Sequence, residues 1–139
     1  MSFTPLLEAS LAIQVHAFSA MAGFLLGIIQ LLAPKGTLPH RTLGIVWLVI
    51  MSVVAISSIF IRPSIVEGLP FLQWFSWIHL FTILTIWGVC QGTYFLIKGG
   101  PGLRRHKGPF IGIFVGGLII AGGFAFLPGR IMHQVVFGG

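Results

Sequence analysis

LGIVWLVIMSVVAISSIFI, residues 43–61, carries no formal charge, and apolar side chains fall on every face of any helix wound from it. At 1.5 Å per residue, this run reaches across most of a hydrocarbon core about 30 Å thick, which takes around 20 apolar residues to span. A transmembrane β-strand would alternate apolar and polar side chains; this stretch does not. With no water in the bilayer to satisfy an open backbone, the run reads as a membrane-spanning helix.

Outward from it, three further apolar runs extend over about Leu6–Ala33, Phe75–Ile97 and Pro109–Leu127. Pro34, Gly36 and Pro39 break the chain after the first run, Pro63, Gly68 and Pro70 after the second, and "KGGPG" from Lys98 after the third. The connections are short, so neighbouring helices run antiparallel. Of the 139 residues 56% are hydrophobic and 7% charged, where soluble domains carry about 25% charged residues. The expected fold is all-α: one integral membrane four-helix bundle over 1–139, made of two similar helical hairpins, with spans at about 6–33, 43–61, 75–97 and 109–127.

The net charge of +6 sits between apolar runs, where Lys and Arg set topology and meet anionic headgroups. There is no extended basic face of the kind that neutralises nucleic-acid phosphates. Six of the eight basic residues (Lys35, Arg41, Lys98, Arg104, Arg105, Lys107) fall in the first and third loops, leaving Arg62 and Arg130 opposite. The positive-inside rule then places those loops in the cytoplasm and both termini outside, in a bacterial inner membrane. Trp74 and Trp77 fit an outer aromatic belt. The first residues carry no positive charge and the first run outlasts a signal h-region, so a cleavable signal peptide is not expected. The single cysteine, Cys90, has no partner for an internal disulfide.

Each hairpin has a histidine in its first helix and another, beside basic residues, at the start of its second: His16 and His40, then His79 and His106. Ala12, His16, Ala20, Gly23 and Gly27 recur at three- and four-residue spacing and share a face of the first helix. His79, Thr82, Ile83, Ile86, Cys90 and Thr93 share one on the third, and their polar members predict that it looks inward. An ionisable group within a span is a functional hypothesis by default. His16 and His79, at matching depth near the outer surface on opposite hairpins, are the expected first pair and the haem-iron ligands, since paired imidazoles across a four-helix bundle hold b-type haem, with Gly23, Gly27 and Gly112 as clearance for a flat ring. His40 and His106 form the second pair, binding a second haem or a quinone head, or anchoring in the headgroup layer. Arg41, Arg104, Arg105 and Arg130 suit propionate or lipid phosphate.

Plainer roles stand beside these. A membrane histidine is often interhelical hydrogen-bonding glue, and glycine stripes are often close-packing surfaces. His16, His79 and His133 would converge if the site held zinc or copper, and Arg130 would pair with Glu8 or Glu67. Ser19, Ser57 and Ser58 lack the context of an activated nucleophile, and no two carboxylates are placed for acid–base work, which leaves hydrolytic chemistry unsupported. The functional expectation is a small redox module that binds haem b, with quinone as a further cofactor. The alternative is a non-catalytic accessory or assembly subunit, packing by its glycine faces against other membrane proteins or itself.

At "LPHRTLG", "IHLFTIL", "RRHK" and "GGLIIAGGFAFLPGRIMH" the chain resembles a bacterial family of membrane proteins designated domain of unknown function 2306. The likeness runs from His16 to Gly138. It implies a four-helix membrane fold and brings no established activity. The arrangement also looks like small di-haem cytochromes of the b561 kind, which use histidine pairs across four core helices; that likeness is architectural and shares no motif.

Overall fold

The computed structural model describes residues 2–61 and 78–138, and all its regular elements are helical. Arg62, Pro63, Glu67, Gly68, Pro70, Trp74 and Trp77 lie outside the described residues. Four helices are long and apolar enough to cross a membrane. We label the elements α1 (Thr4–Leu7), α2 (Leu11–Leu32), α3 (Leu38–Ile59), α4 (Ile78–Lys98), α5 (Gly102–Phe124) and α6 (Ile131–Phe137). The long element α5 is a composite: Gly102–Arg105, a turn at His106, Lys107–Gly112, a π-helical Ile113–Ile120 and a last turn Ala121–Phe124.

The helix starts differ from the expected ones, for local reasons. The first span divides at Glu8–Ser10, where Gln14 Nε2 donates to Leu7 O and Ala9 O, both at 2.8 Å. These bonds satisfy carbonyls that a helix end leaves open. Element α3 starts at Leu38 instead of Leu43, because the Thr37 hydroxyl accepts the His40 amide at 3.3 Å and Pro39 sits in the first turn, which needs no amide donor there. Element α5 starts seven residues before Pro109 and stops short of the expected end, since Ala125 onward is turn. The earlier starts carry His40 into the first turn of α3 and place His106 at the turn inside α5, in keeping with the expectation that both histidines open a helix.

The four long helices form a ring in which α2 touches α3 and α5, and α4 touches α3 and α5. Thus α2 lies diagonally across from α4, and α3 across from α5. The centre is filled along the second diagonal by Trp47, Met51 and Val54 of α3 with Ile113, Phe114 and Leu118 of α5. Phe110 meets Trp47 edge-on at 5.9 Å, and Phe114 stacks on Phe24 at 5.7 Å. Trp47 Nε1 donates to Gly23 O at 2.9 Å, the buried partner an indole N–H requires.

The glycines of α2 and α4 receive these side chains. A Cβ on Gly23 would lie 3.2 Å from Met51 Sδ, one on Gly27 2.5 Å from two ring carbons of Phe114, and one on Gly88 2.7 Å from Ile113 Cγ1; Phe110 occupies the place at Gly92. Gly23 and Gly27 therefore admit protein, not a flat ring. Gly112 faces outward, with no heavy atom within 4 Å of its would-be Cβ. In the π-helical stretch, Gly116 and Gly117 let Leu84 and Thr85 of α4 approach closely.

At one end of the ring α1 packs on α6: Ser2 N donates to Val135 O at 3.0 Å, and Leu6 and Val135 are buried. The described ends of the chain thus lie on the same side of the bundle, as an even number of spans requires.

Candidate functional site

The histidines of the long helices lie toward the two ends of the bundle. The end carrying the α2–α3 and α4–α5 turns, here the basic end, holds His40, His106 and Gln30. His40 is seven residues from Trp47 and His106 seven from Ile113, two helical turns in each case, so both rings share the buried faces of their helices. Those helices are the α3–α5 diagonal. His106, Lys35 and Lys107 lie within electrostatic reach of the His40 ring. The His106 ring rests 5.6 Å from Phe110, which with Trp47 closes the site toward the bundle centre.

Among the described residues, three side-chain atoms at this end are buried without a hydrogen-bond partner: His40 Nδ1, His106 Nδ1 and Gln30 Oε1. An unpaired buried polar group costs about 1–3 kcal/mol, so three at one end set this region apart from the rest of the described bundle. Gln30 is held by its other atom, Nε2, which donates to His40 O at 2.8 Å, and a Cβ on Gly44 would lie 2.8 Å from that nitrogen. Sequence reading passed over Gln30. The signal was present, because Gln30 follows Gly27 by three residues and continues the stripe that begins at Ala12 and His16.

At the opposite end His16 faces α3. Its Nδ1 lies 3.0 Å from Val54 O and 3.2 Å from Ser57 Oγ. A carbonyl oxygen only accepts, so Nδ1 carries the proton and Nε2 keeps the lone pair; the Ser57 hydroxyl gives its own proton to Val53 O at 2.7 Å. Metal-binding histidines are fixed in this manner, one ring nitrogen donating to a carbonyl and the other free to ligate. One turn away, Ser58 and Thr82 share a buried hydroxyl–hydroxyl bond of 2.8 Å between α3 and α4. Ser57 and Ser58 are thus structural hydroxyls.

His79 is half-buried in the first turn of α4. The face it shares with Ile83 (57% exposed), Ile86 (42%) and Cys90 is turned outward. Only Thr82 of the expected inward set is buried, and α4 instead packs through Thr85, Gly88 and Gly92. The inward reading of that face is corrected: a helix apolar all round gives its few polar residues no power to set its rotation, and the glycines that admit α5 set it instead. His133 stands 5.0 Å from the Phe137 ring in α6. Among the described residues no group of three His, Cys, Asp or Glu is placed to hold a metal ion, so the expected convergence of His16, His79 and His133 on zinc or copper does not occur.

Arg41, Arg104 and Arg105 are exposed around the basic end, and Arg130 is exposed on the turn ahead of α6. No family model, no curated protein and no solved structure matches the chain.

Proposed function

We propose that this membrane bundle is an electron-transfer module that holds haem b at its basic end through His40 and His106. One observation carries the reading: two imidazoles stand on diagonally opposite helices, at one end, on buried faces, each with a buried Nδ1 that lacks a partner. Two imidazoles approaching from opposite sides are what a six-coordinate haem iron takes, and bundle cores are where such groups are held. The donor set therefore fits the group. Haem, when bound, supplies one-electron chemistry.

The chain's own residues do the rest. His40 and His106 ligate, each held by the first turns of a helix that spans the membrane. Arg41, next to His40, supplies positive charge for a propionate at the headgroup level. Trp47 and Phe110 keep water out on the side of the bundle centre. His16, its proton fixed on Nδ1 by Val54 O, offers Nε2 at the other end, as the ligand of the second centre of this reading. His40 and Ser57, the latter beside His16, are seventeen residues apart on α3, which is about 25 Å of helix. Two centres so placed carry electrons across a bilayer. The basic end is cytoplasmic and the termini outside, in a bacterial inner membrane.

A quinol head is the second reading for the same pair, favoured by the three orphaned atoms, because two imidazole nitrogens and an amide oxygen can accept hydrogen bonds from its hydroxyls.

The visible spectrum of the purified protein tests the proposal. A Soret band with sharp reduced α-bands is expected, and His40→Ala and His106→Ala should each remove the same spectral species. A stoichiometrically pure, colourless preparation from haem-replete cells overturns it, and quinol retained by that colourless protein supports the second reading.

A further inference from the structure

The turn between α4 and α5 encloses a cleft that the histidine sites do not use. Its volume is about 350 Å³, and its walls are Phe95, Lys98, Arg105 and the backbone of Gly99–Gly102. Gly99 and Gly100 both adopt left-handed conformations (φ +63° and +51°), and a Cβ on Gly102 would lie 2.6 Å from Phe95 O. The turn therefore closes tightly against the end of α4 and leaves the two basic side chains on one opening. Lys98 Nζ stands 5.6 Å from the Tyr94 ring centroid, a cation–π contact that keeps the ammonium near the end of the helix.

Among the described residues neither cation has an acidic side chain nearby. Of the two carboxylates in the chain, Glu67 lies outside the described residues and Glu8 follows α1 at the opposite end of the bundle. Among the described residues no side chain supplies an anion to complement Lys98 and Arg105. Lys98 closes a membrane-length helix, so the cleft opens at headgroup depth. Ile97, next to Lys98 in the chain, and Leu103, next to Gly102, are apolar side chains 82% and 49% exposed at this turn. A ligand that is anionic at the cleft and apolar beside it is an anionic phospholipid.

We propose that this cleft binds the phosphate of an anionic phospholipid headgroup, with Lys98 and Arg105 as the charge partners and Ile97 and Leu103 against the acyl chains. The site rests on the membrane placement of the bundle and is independent of haem.

The probe is short-chain phosphatidylglycerol, titrated into full-length protein in neutral detergent and followed by native mass spectrometry. Phosphatidylcholine of the same chain length and inorganic phosphate serve as comparisons. A basic side chain at a membrane surface contributes about fivefold in anionic-lipid affinity, so Lys98→Gln with Arg105→Gln should weaken phosphatidylglycerol binding about 25-fold. Arg104→Gln, on the same turn but outside the cleft, should change it less than twofold, and Lys98→Arg should retain binding, which shows that the turn still folds. The proposal is overturned if the double variant binds as well as the parent, or if Arg104→Gln costs as much, which would mean diffuse attraction. Inorganic phosphate displacing the lipid at equal concentration would also overturn it, by assigning the cleft to free phosphate.

Discussion

Gly27→Ala adds one methyl group to the tightest side-chain contact of α2. The new Cβ would lie 2.5 Å from Cδ2 and Cε2 of Phe114 and 3.1 Å from Trp47 Nε1, where carbon atoms prefer about 3.5–4.0 Å. Phe114 has little room to retreat: it is 6% exposed and stacked on Phe24 at an interplanar angle of 9°. Trp47 is held by its bond to Gly23 O. Overpacking of this kind costs about 1–3 kcal/mol, and the helix preference of Ala over Gly returns up to about 1 kcal/mol. A net loss of about 1–2 kcal/mol is expected, roughly a 5- to 30-fold shift in the unfolding equilibrium. Gly112→Ala is the matched control. It sits on the same kind of apolar span with no atom within 4 Å, so it should be neutral or gain a few tenths of a kcal/mol. Reversible unfolding in mixed micelles, followed by circular dichroism, measures both. Equal stability of the two variants would refute the assignment of Gly27 to the packed α2–α5 contact.

Trp47→Phe removes the Nε1–Gly23 O bond and should cost about 1 kcal/mol in the same unfolding assay; an unchanged midpoint would mean that the bond contributes nothing. Ser58→Ala and Thr82→Val, combined in a double-mutant cycle, should show coupling of about 0.5–1 kcal/mol from their buried 2.8 Å contact, and additive effects would contradict it. A cysteine placed at Gly100 on a Cys90→Ala background should resist membrane-impermeant thiol reagents in intact cells, while one at Ser2 should react, as the six basic residues of the two loops at that end predict. Labelling of Gly100→Cys from outside would invert the topology.

Much of the fold was legible because a bilayer makes simple demands on composition. A run such as residues 43–61 can satisfy its backbone in lipid only as a helix, and Pro34, Gly36 and the KGGPG turn mark where it reverses. Boundaries were less legible. Thr37 caps α3 and Gly102 opens α5 a few residues ahead of the expected starts, which puts His40 within the first turn of α3 and His106 at a turn within α5. Gln30 was legible as a position, the next step of the stripe after Gly27, but a lone amide in an apolar run has no motif to assign it a role.

The amino-acid sequence by itself determined that the chain forms four apolar helices with basic turns at one end, and that histidines open both hairpins. Only the tertiary structure decided which of those histidines meet. A helix apolar on every face has no amphipathic signal to fix its rotation, so rotation follows from packing. Gly88 and Gly92 admit Ile113 and Phe110 and turn the face of Ile83, Ile86 and Cys90 outward. The ring order then sets α3 across from α5. That arrangement brings His40 and His106 into electrostatic reach of each other, and among the described residues no group pairs with their buried Nδ1 atoms.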